Sequence, residues 1–116
     1  MSNNKAHFII NQSTDFIATL TWYTDSAKTV VKDLTGFTGA MKIKKNLTAT
    51  EIIELTTANS RITIAAPTTG VIVLSIDAAD TATLVPDTYI YDLLMIKTGE
   101  TQRLIQGTVA VDEAVT

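Results

Sequence analysis

The sequence has 116 residues, of which 46% are hydrophobic and 18% are charged, and its formal net charge is −3. A chain of this length and apolar content can bury one core, which excludes intrinsic disorder and predicts a single domain over residues 1–116. The acidic balance argues against nucleic-acid binding, which draws most of its affinity from a basic surface, and the lack of cysteine excludes disulfides and thiol chemistry.

Short runs of alternating apolar and polar residues, rich in threonine, isoleucine and valine, follow one another along the chain. This pattern is typical of half-buried β-strands. Strands are predicted at residues 7–10, 15–23, 29–32, 40–45, 51–57, 61–65, 71–77, 87–97 and 101–111. Turn-forming residues separate them, notably at 24–26, 59–60, 67–70 and 98–100.

One stretch departs from the two-residue period of the strands. In residues 77–84, DAADTATL, Asp77 is predicted to cap a short helical turn, and Asp80 lies where its charge favours exposed amide groups. Pro86 ends this segment, because proline cannot continue a helix. Gly107, inside the last strand, predicts a β-bulge.

These elements predict an all-β fold, an antiparallel two-sheet sandwich with one short helical turn. Antiparallel pairing is expected because the loops have hairpin lengths, whereas parallel strands need crossovers of a dozen or more residues. A small barrel is the alternative architecture.

The segment 84–91, LVPDTYIY, resembles the tyrosine corner of immunoglobulin-like sandwiches. In that corner the hydroxyl group of a tyrosine, here Tyr89, bonds back to the backbone where the chain crosses between sheets. Tyr91 stands where the antibody family has a cysteine, so the resemblance implies immunoglobulin-like architecture and not membership of that family.

Residues that carry chemistry are scarce in this sequence. His7 is the single histidine, so neither a catalytic base nor a zinc site finds enough ligands. Asp77, Asp80 and Asp87 offer carboxylates for a calcium site, but helix capping explains the first two without a metal. The sequence therefore predicts a protein that is not an enzyme, with no cofactor and no catalytic or metal-binding residue; a small hydrolase or metalloenzyme is the competing class.

One basic cluster stands out, formed by Lys42, Lys44 and Lys45. Alternation places Lys42 and Lys44 opposite Ile43, on a solvated strand face, and charged side chains of this kind can guard a sheet edge. An anionic partner for the cluster is the alternative. Trp22 falls on the apolar face of its strand and is predicted in the core.

The N-terminal segment is polar and no apolar h-region follows it, so no signal peptide is expected. No apolar run approaches the roughly 18 residues that a membrane span requires, and no membrane partner is expected.

Five stretches of the sequence, in order, resemble a group of small β-sandwich proteins encoded by tailed bacteriophages and prophages. They are LTGFTGAMKIK at 34–44, ELTTANSRITI at 54–64, TGVIVLSIDAADTA at 69–82, DTYIYDL at 87–93 and RLIQGTV at 103–109. The resemblance implies a virion structural protein, made in the bacterial host cytoplasm, that contacts other virion proteins in symmetric copies. It implies a tail, baseplate or fibre-attachment component, with a head decoration protein as the alternative.

Binding is expected at strand edges and loops, because no set of convergent polar groups that would line a ligand pocket is visible. A carbohydrate-binding module is a further alternative. An exposed aromatic pair containing Tyr23 would favour that alternative.

Overall fold

The computed structural model describes residues 4–25 and 27–115. The strands of this part of the chain are β1 (Asn4–Asn11), β2 (Phe16–Thr21), β3 (Thr38–Lys44), β4 (Glu51–Thr56), β5 (Ile62–Thr63), β6 (Val71–Ile76), β7 (Asp87–Lys97) and β8 (Glu100–Asp112). A 3₁₀ turn spans Pro67–Thr69, and the helix α1 spans Ala78–Thr81. The polar residues 1–3, and Ser26 of the turn predicted at 24–26, lie outside the described residues.

The strands form a five-stranded sheet in the order β1-β8-β7-β3-β4 and a three-stranded sheet in the order β2-β6-β5. Alternate side chains of both sheets point inward into one core, since successive residues of a strand face opposite sides. The least exposed members of this core are Ile10, Leu34, Met41, Ile43, Leu55, Ile62, Ile72, Leu74, Ile76, Leu93, Met95 and Val109. The prediction of an all-β fold with two packed sheets is confirmed.

Pairing within the sheets is antiparallel except at one place. β1 lies parallel to β8, with Ala6 opposite Gly107 and Phe8 opposite Val109. The prediction of a purely antiparallel sandwich was therefore wrong at this pair. Parallel strands need a long connection, and here that condition is met because β1 and β8 are the first and last strands of the described chain.

The prediction of a strand at residues 29–32 was wrong. The strand is reduced to a single antiparallel bridge between Val31 and Tyr23. The Asp25 carboxylate accepts hydrogen bonds from the backbone amide of Val30 at 3.0 Å and from that of the preceding residue. This local turn competes with extended pairing, as short polar side chains commonly do.

Gly107 does not mark the predicted bulge. The register of β7 against β8 shifts between Leu93 and Leu94, which leaves Leu104 as the additional residue on β8. Glycine is required at position 107 for another reason, because a Cβ atom there would lie 2.1 Å from the backbone oxygen of Ala6. The glycine permits the close approach of β1.

The corner predicted at Tyr89 is present. The Tyr89 hydroxyl donates a hydrogen bond of 2.7 Å to the backbone oxygen of Val85, four residues upstream. This bond lies where the chain passes from β6 of the three-stranded sheet, through α1, to β7 of the five-stranded sheet. The local hydrogen bond of a tyrosine corner is therefore confirmed.

The helix α1 is capped from a distant part of the chain. The Asp77 side chain makes no capping hydrogen bond, so that prediction was wrong. The backbone amide of Ala78 instead donates to Asp15 Oδ1 at 2.9 Å. The buried Thr81 hydroxyl donates to the backbone oxygen of Thr14 at 2.8 Å, so the loop before β2 holds the helix in place.

Candidate functional site

Two of the three carboxylates considered for a calcium site are paired with cationic side chains. Asp80 pairs with Arg61 at 2.9 Å, and Asp87 pairs with Lys45 at 2.6 Å. The hydrogen bond from Lys45 lowers the pKa of Asp87. Asp77 is exposed, and in the described part of the chain no three metal-binding side chains come together.

Polar side chains form cross-strand rows on the outer face of the five-stranded sheet. One row crosses the whole sheet and consists of Lys5, Gln106, Asp92, Lys42 and Glu54. The neighbouring row consists of His7, Thr108, Ile90, Lys44 and Glu51. Because adjacent strands lie about 4.8 Å apart, the β1 and β3 members of a row are separated by ~14 Å.

A concave trough of about 550 Å³ lies on this outer face. Lys5 of β1 stands on one side of the trough, and Lys42 and Lys44 of β3 stand on the other. Arg103 of β8, which stands opposite Leu94 of β7, also lines the trough. The central strands and a loop supply the remaining lining residues, Ile90, Tyr91, Asp92, Gln106, Gly107, Thr108 and Leu47. We call this feature the cationic trough.

The charges of the cationic trough are unbalanced. Arg103 Nε donates to Asp92 Oδ2 at 3.1 Å, so the one carboxylate in the lining is already paired. Among the described residues, Lys5, Lys42 and Lys44 form no ion pair within 4.0 Å, although Glu54 and Glu51 of the neighbouring strand β4 stand opposite Lys42 and Lys44. The trough is therefore a positively charged surface on a protein whose net charge is −3.

The structure corrects two expectations: that Lys42 and Lys44 guard a sheet edge, and that no polar groups converge on one surface. β3 lies between β7 and β4, so Lys42 and Lys44 do not guard a sheet edge. They do occupy the strand face opposite the buried Ile43, as predicted. The expectation that no polar groups converge was wrong, because Lys5 and Arg103 reach the same face only through the pairing of β1, β8 and β7.

The outer face of the three-stranded sheet has a different character. The outward-facing residues of its three strands are uncharged: Ile17, Thr19 and Thr21 of β2, Thr63 of β5, and Val71, Val73 and Ser75 of β6. Ile17 is 68% exposed, which is high for a large apolar side chain on a sheet. We call this surface the uncharged face.

The free edges of the two sheets also differ. β1 presents the exposed Lys5 and His7, and β4 carries Glu51, Glu54 and a register shift against β3. β5 has only two residues. β2 has six residues without a charge, a proline or a glycine, and in the part of the chain that the structure describes no strand pairs with its outer side.

The aromatic side chains lie mainly in the core. Trp22 is 2% exposed and packs edge-to-face against Phe37 with ring centroids 5.4 Å apart, which confirms its predicted place. Tyr23 is half-buried and pairs with no other ring among the described residues. The aromatic platform that would favour carbohydrate binding is not formed at this position.

No protein-family model matches this chain, and no curated protein has a similar sequence. In the described ranges, no helix is long and apolar enough to cross a membrane.

Proposed function

We propose that the protein is a non-enzymatic structural protein of a bacteriophage particle that docks onto neighbouring virion proteins. The proposal places it in the tail, in the baseplate or at a fibre-attachment point. The resemblance of the stretches at 34–44, 54–64, 69–82, 87–93 and 103–109 to phage sandwich proteins motivates the phage setting. The open edge of β2 supports docking onto a neighbouring protein.

The edge of β2 is the observation that carries the docking mechanism. In an antiparallel pair, alternate residues of an edge strand direct their N–H and C=O groups away from the sheet. No hydrogen bond outside the sheet reaches the β2 backbone among the described residues. Because β2 also lacks the charges and prolines that blunt edge strands, it is suited to accept a strand from another protein.

The uncharged face extends this docking surface beside the β2 edge. Ile17 and Thr19 of β2 and Val73 of β6 lie on it, so a partner covering the edge strand would also bury apolar area on the face. Copies arranged by the symmetry of the particle would add the strength of many such contacts.

The proposed architecture is immunoglobulin-like. The hydrogen bond from Tyr89 to Val85 at the crossing between sheets, together with the two-sheet core, supports it. The parallel pairing of β1 with β8 joins the first and last strands along one side of the five-stranded sheet.

The proposal is tested by supplying variants to the phage that encodes the protein, after deletion of its gene. The variant Ile17→Lys/Thr19→Lys places two charges on the β2 edge, and the matched control Thr88→Lys/Thr101→Lys places the same charges on exposed positions of the five-stranded sheet. Quantitative mass spectrometry of purified particles should find the wild type and the control at a fixed copy number. The β2 variant should be depleted from particles while it remains in the lysate.

Mass spectrometry of separated heads and tails distinguishes the alternatives within the virion. Recovery with tails supports the proposed place, and recovery with heads supports a decoration protein. A wild-type protein that is present in the lysate and absent from both fractions would contradict the structural role altogether.

A further inference from the structure

We infer that the cationic trough binds an acidic, extended peptide segment of a partner protein. The trough lies on the outer face of the five-stranded sheet, whereas the proposed docking edge belongs to the three-stranded sheet. The inference therefore goes beyond the proposed function and does not depend on it.

Charge complementarity is the first argument for an acidic ligand. Four cationic side chains line the trough against a single carboxylate, and Arg103 already neutralises that carboxylate. Lys42 has Glu54 as its cross-strand partner, yet its amino group forms no ion pair within 4.0 Å and instead lines the trough. Ligand carboxylates would add the counter-charges that the protein itself does not place there.

The shape of the trough favours an extended chain. Its two sides, Lys5 on β1 and Lys42 with Lys44 on β3, stand ~14 Å apart across two central strands. An extended backbone lying between them sends successive side chains in opposite directions, so acidic side chains can reach either side. Ile90 on the floor and the exposed Leu47 beside it offer apolar contact to the residues between.

Two other classes of anion fit the trough less well. Single-stranded nucleic acids and many sugars are held by stacking on exposed aromatic rings. Tyr91 is the one aromatic residue in the lining, and it is 5% exposed with its ring packed against Phe8 at a centroid distance of 5.3 Å. A peptide needs no such platform, because carboxylates and apolar side chains suffice.

The test uses fluorescence anisotropy with a short labelled peptide of paired aspartates separated by single valines, because neighbouring aspartates of an extended chain point to opposite sides of the trough. The full-length protein should bind this peptide, and a peptide with asparagine in place of aspartate should not bind measurably. Raising the ionic strength should weaken binding, because the lysines are largely solvent-exposed and screened by salt.

Charge-matched variants locate the site on the trough. Lys42→Gln/Lys44→Gln should weaken binding roughly tenfold, since each exposed ion pair contributes modestly. Lys28→Gln/Lys97→Gln removes the same charge away from the trough and should change the affinity less than about twofold. Asp92→Asn should strengthen binding about threefold, because it removes the one negative charge in the lining and frees Arg103.

Each contrary result overturns the inference. Absence of binding to the aspartate peptide, equal losses in the two double-lysine variants, or weaker binding by Asp92→Asn would each do so. Tighter binding of an oligonucleotide or an anionic oligosaccharide than of the peptide would assign the trough to another class of ligand. None of these results bears on recovery of the protein from particles, which tests the proposed function separately.

Discussion

The two outer faces of this sandwich are built from the same strand alternation and carry opposite surface chemistry. The face of the five-stranded sheet exposes lysine, arginine, aspartate and glutamate around a trough. The face of the three-stranded sheet exposes threonine, valine, isoleucine and serine. Both sheets bury their inward side chains in one shared core, so the difference does not come from the demands of folding.

The two faces differ in how favourable it is for each to remain exposed to solvent. Charged side chains on a sheet face are well solvated and oppose non-specific pairing with other sheets. Threonine and valine are less well solvated and do not oppose such pairing. Covering a sheet surface without charges is favourable, because apolar area is removed from water. This contrast is consistent with the two proposals, which are recognition of a charged ligand at the first face and docking of a protein at the second.

The edges repeat the contrast between the two sheets. On the five-stranded sheet, the Tyr91 hydroxyl crosses over Gly107 and donates a hydrogen bond of 3.0 Å to the backbone oxygen of Ala6. This contact fastens β1 over the side of β8 that would otherwise be open. β1 is then the free edge of that sheet and carries Lys5 and His7, whereas the free edge formed by β2 among the described residues carries no charge.

The largest expected effect on stability comes from a substitution that displaces β1 from β8. Gly107→Val should lower the free energy of unfolding by about 3 kcal/mol or more, because its Cβ would meet the Ala6 oxygen at 2.1 Å. β1 would separate from β8, and β8 would replace β1 as the free edge of the five-stranded sheet. Urea denaturation measures the loss, and hydrogen exchange should show faster exchange within Asn4–Asn11.

Gly99→Ala is the control for backbone conformation alone. Gly99 has a φ of +83° and no atom within 4 Å of its missing Cβ, so this change should cost only about 1 kcal/mol. If both substitutions cost the same, close packing of β1 against Gly107 does not explain the need for glycine.

The second prediction concerns the stability of the protein at alkaline pH, where the Tyr91 hydroxyl that bonds to Ala6 ionises. Burial raises the pKa of Tyr91 from 10.0 to about 12. A raised folded-state pKa means that the stabilisation is complete below about pH 10 and is lost as the pH rises towards 12. The free energy of unfolding should fall by up to about 2–3 kcal/mol over this window.

Urea denaturation of the wild type and of Tyr91→Phe across the alkaline range isolates this contribution. The variant loses the hydrogen bond to Ala6 at every pH, and its stability should decline less steeply above pH 10. Parallel declines in the two proteins would show that Tyr91 ionisation does not limit alkaline stability.

A smaller effect is expected at the crossing between the two sheets. Tyr89→Phe removes the hydrogen bond to Val85 and should cost about 0.5–1.5 kcal/mol, measured by urea denaturation. Tyr23→Phe is the matched control, because no hydrogen bond of the Tyr23 hydroxyl is formed with the described residues. Equal losses of stability at the two positions would show that the hydrogen bond from Tyr89 to Val85 does not stabilise the crossing between the sheets.

The sequence predicted the parts of the fold that depend on local chemistry. Alternation located β7 at its observed bounds, and the run at β6 placed Ile72 and Leu74 in the core. The spacing from Val85 to Tyr89 predicted the corner, because that hydrogen bond is formed within one short segment.

The remaining features depend on contacts that are distant in sequence. Nothing near Asp77 indicates that Asp15, on another loop, would accept the amide of Ala78. The cationic trough was missed for the same reason, since it requires the β1–β8 pairing to bring Lys5 beside the lysines of β3. Gly107 was a correct signal with a wrong interpretation, because a glycine in a strand marks either a bulge or a close approach.

The smallest effect on stability is expected from exchanging the characters of the two faces. Thr19→Lys puts a charge on the uncharged face, and Lys42→Thr removes one from the five-stranded sheet. Both side chains are exposed, so each change should alter the free energy of unfolding by no more than about 0.5 kcal/mol. Retention on a hydrophobic-interaction column should nevertheless shift in opposite directions, falling for Thr19→Lys and rising for Lys42→Thr. The reason is that folding does not set the composition of either face, whereas binding to an apolar surface responds directly to it. Loss of stability beyond 1 kcal/mol in Thr19→Lys would instead mean that the uncharged face is maintained for folding, and the contrast between the faces would no longer point to docking.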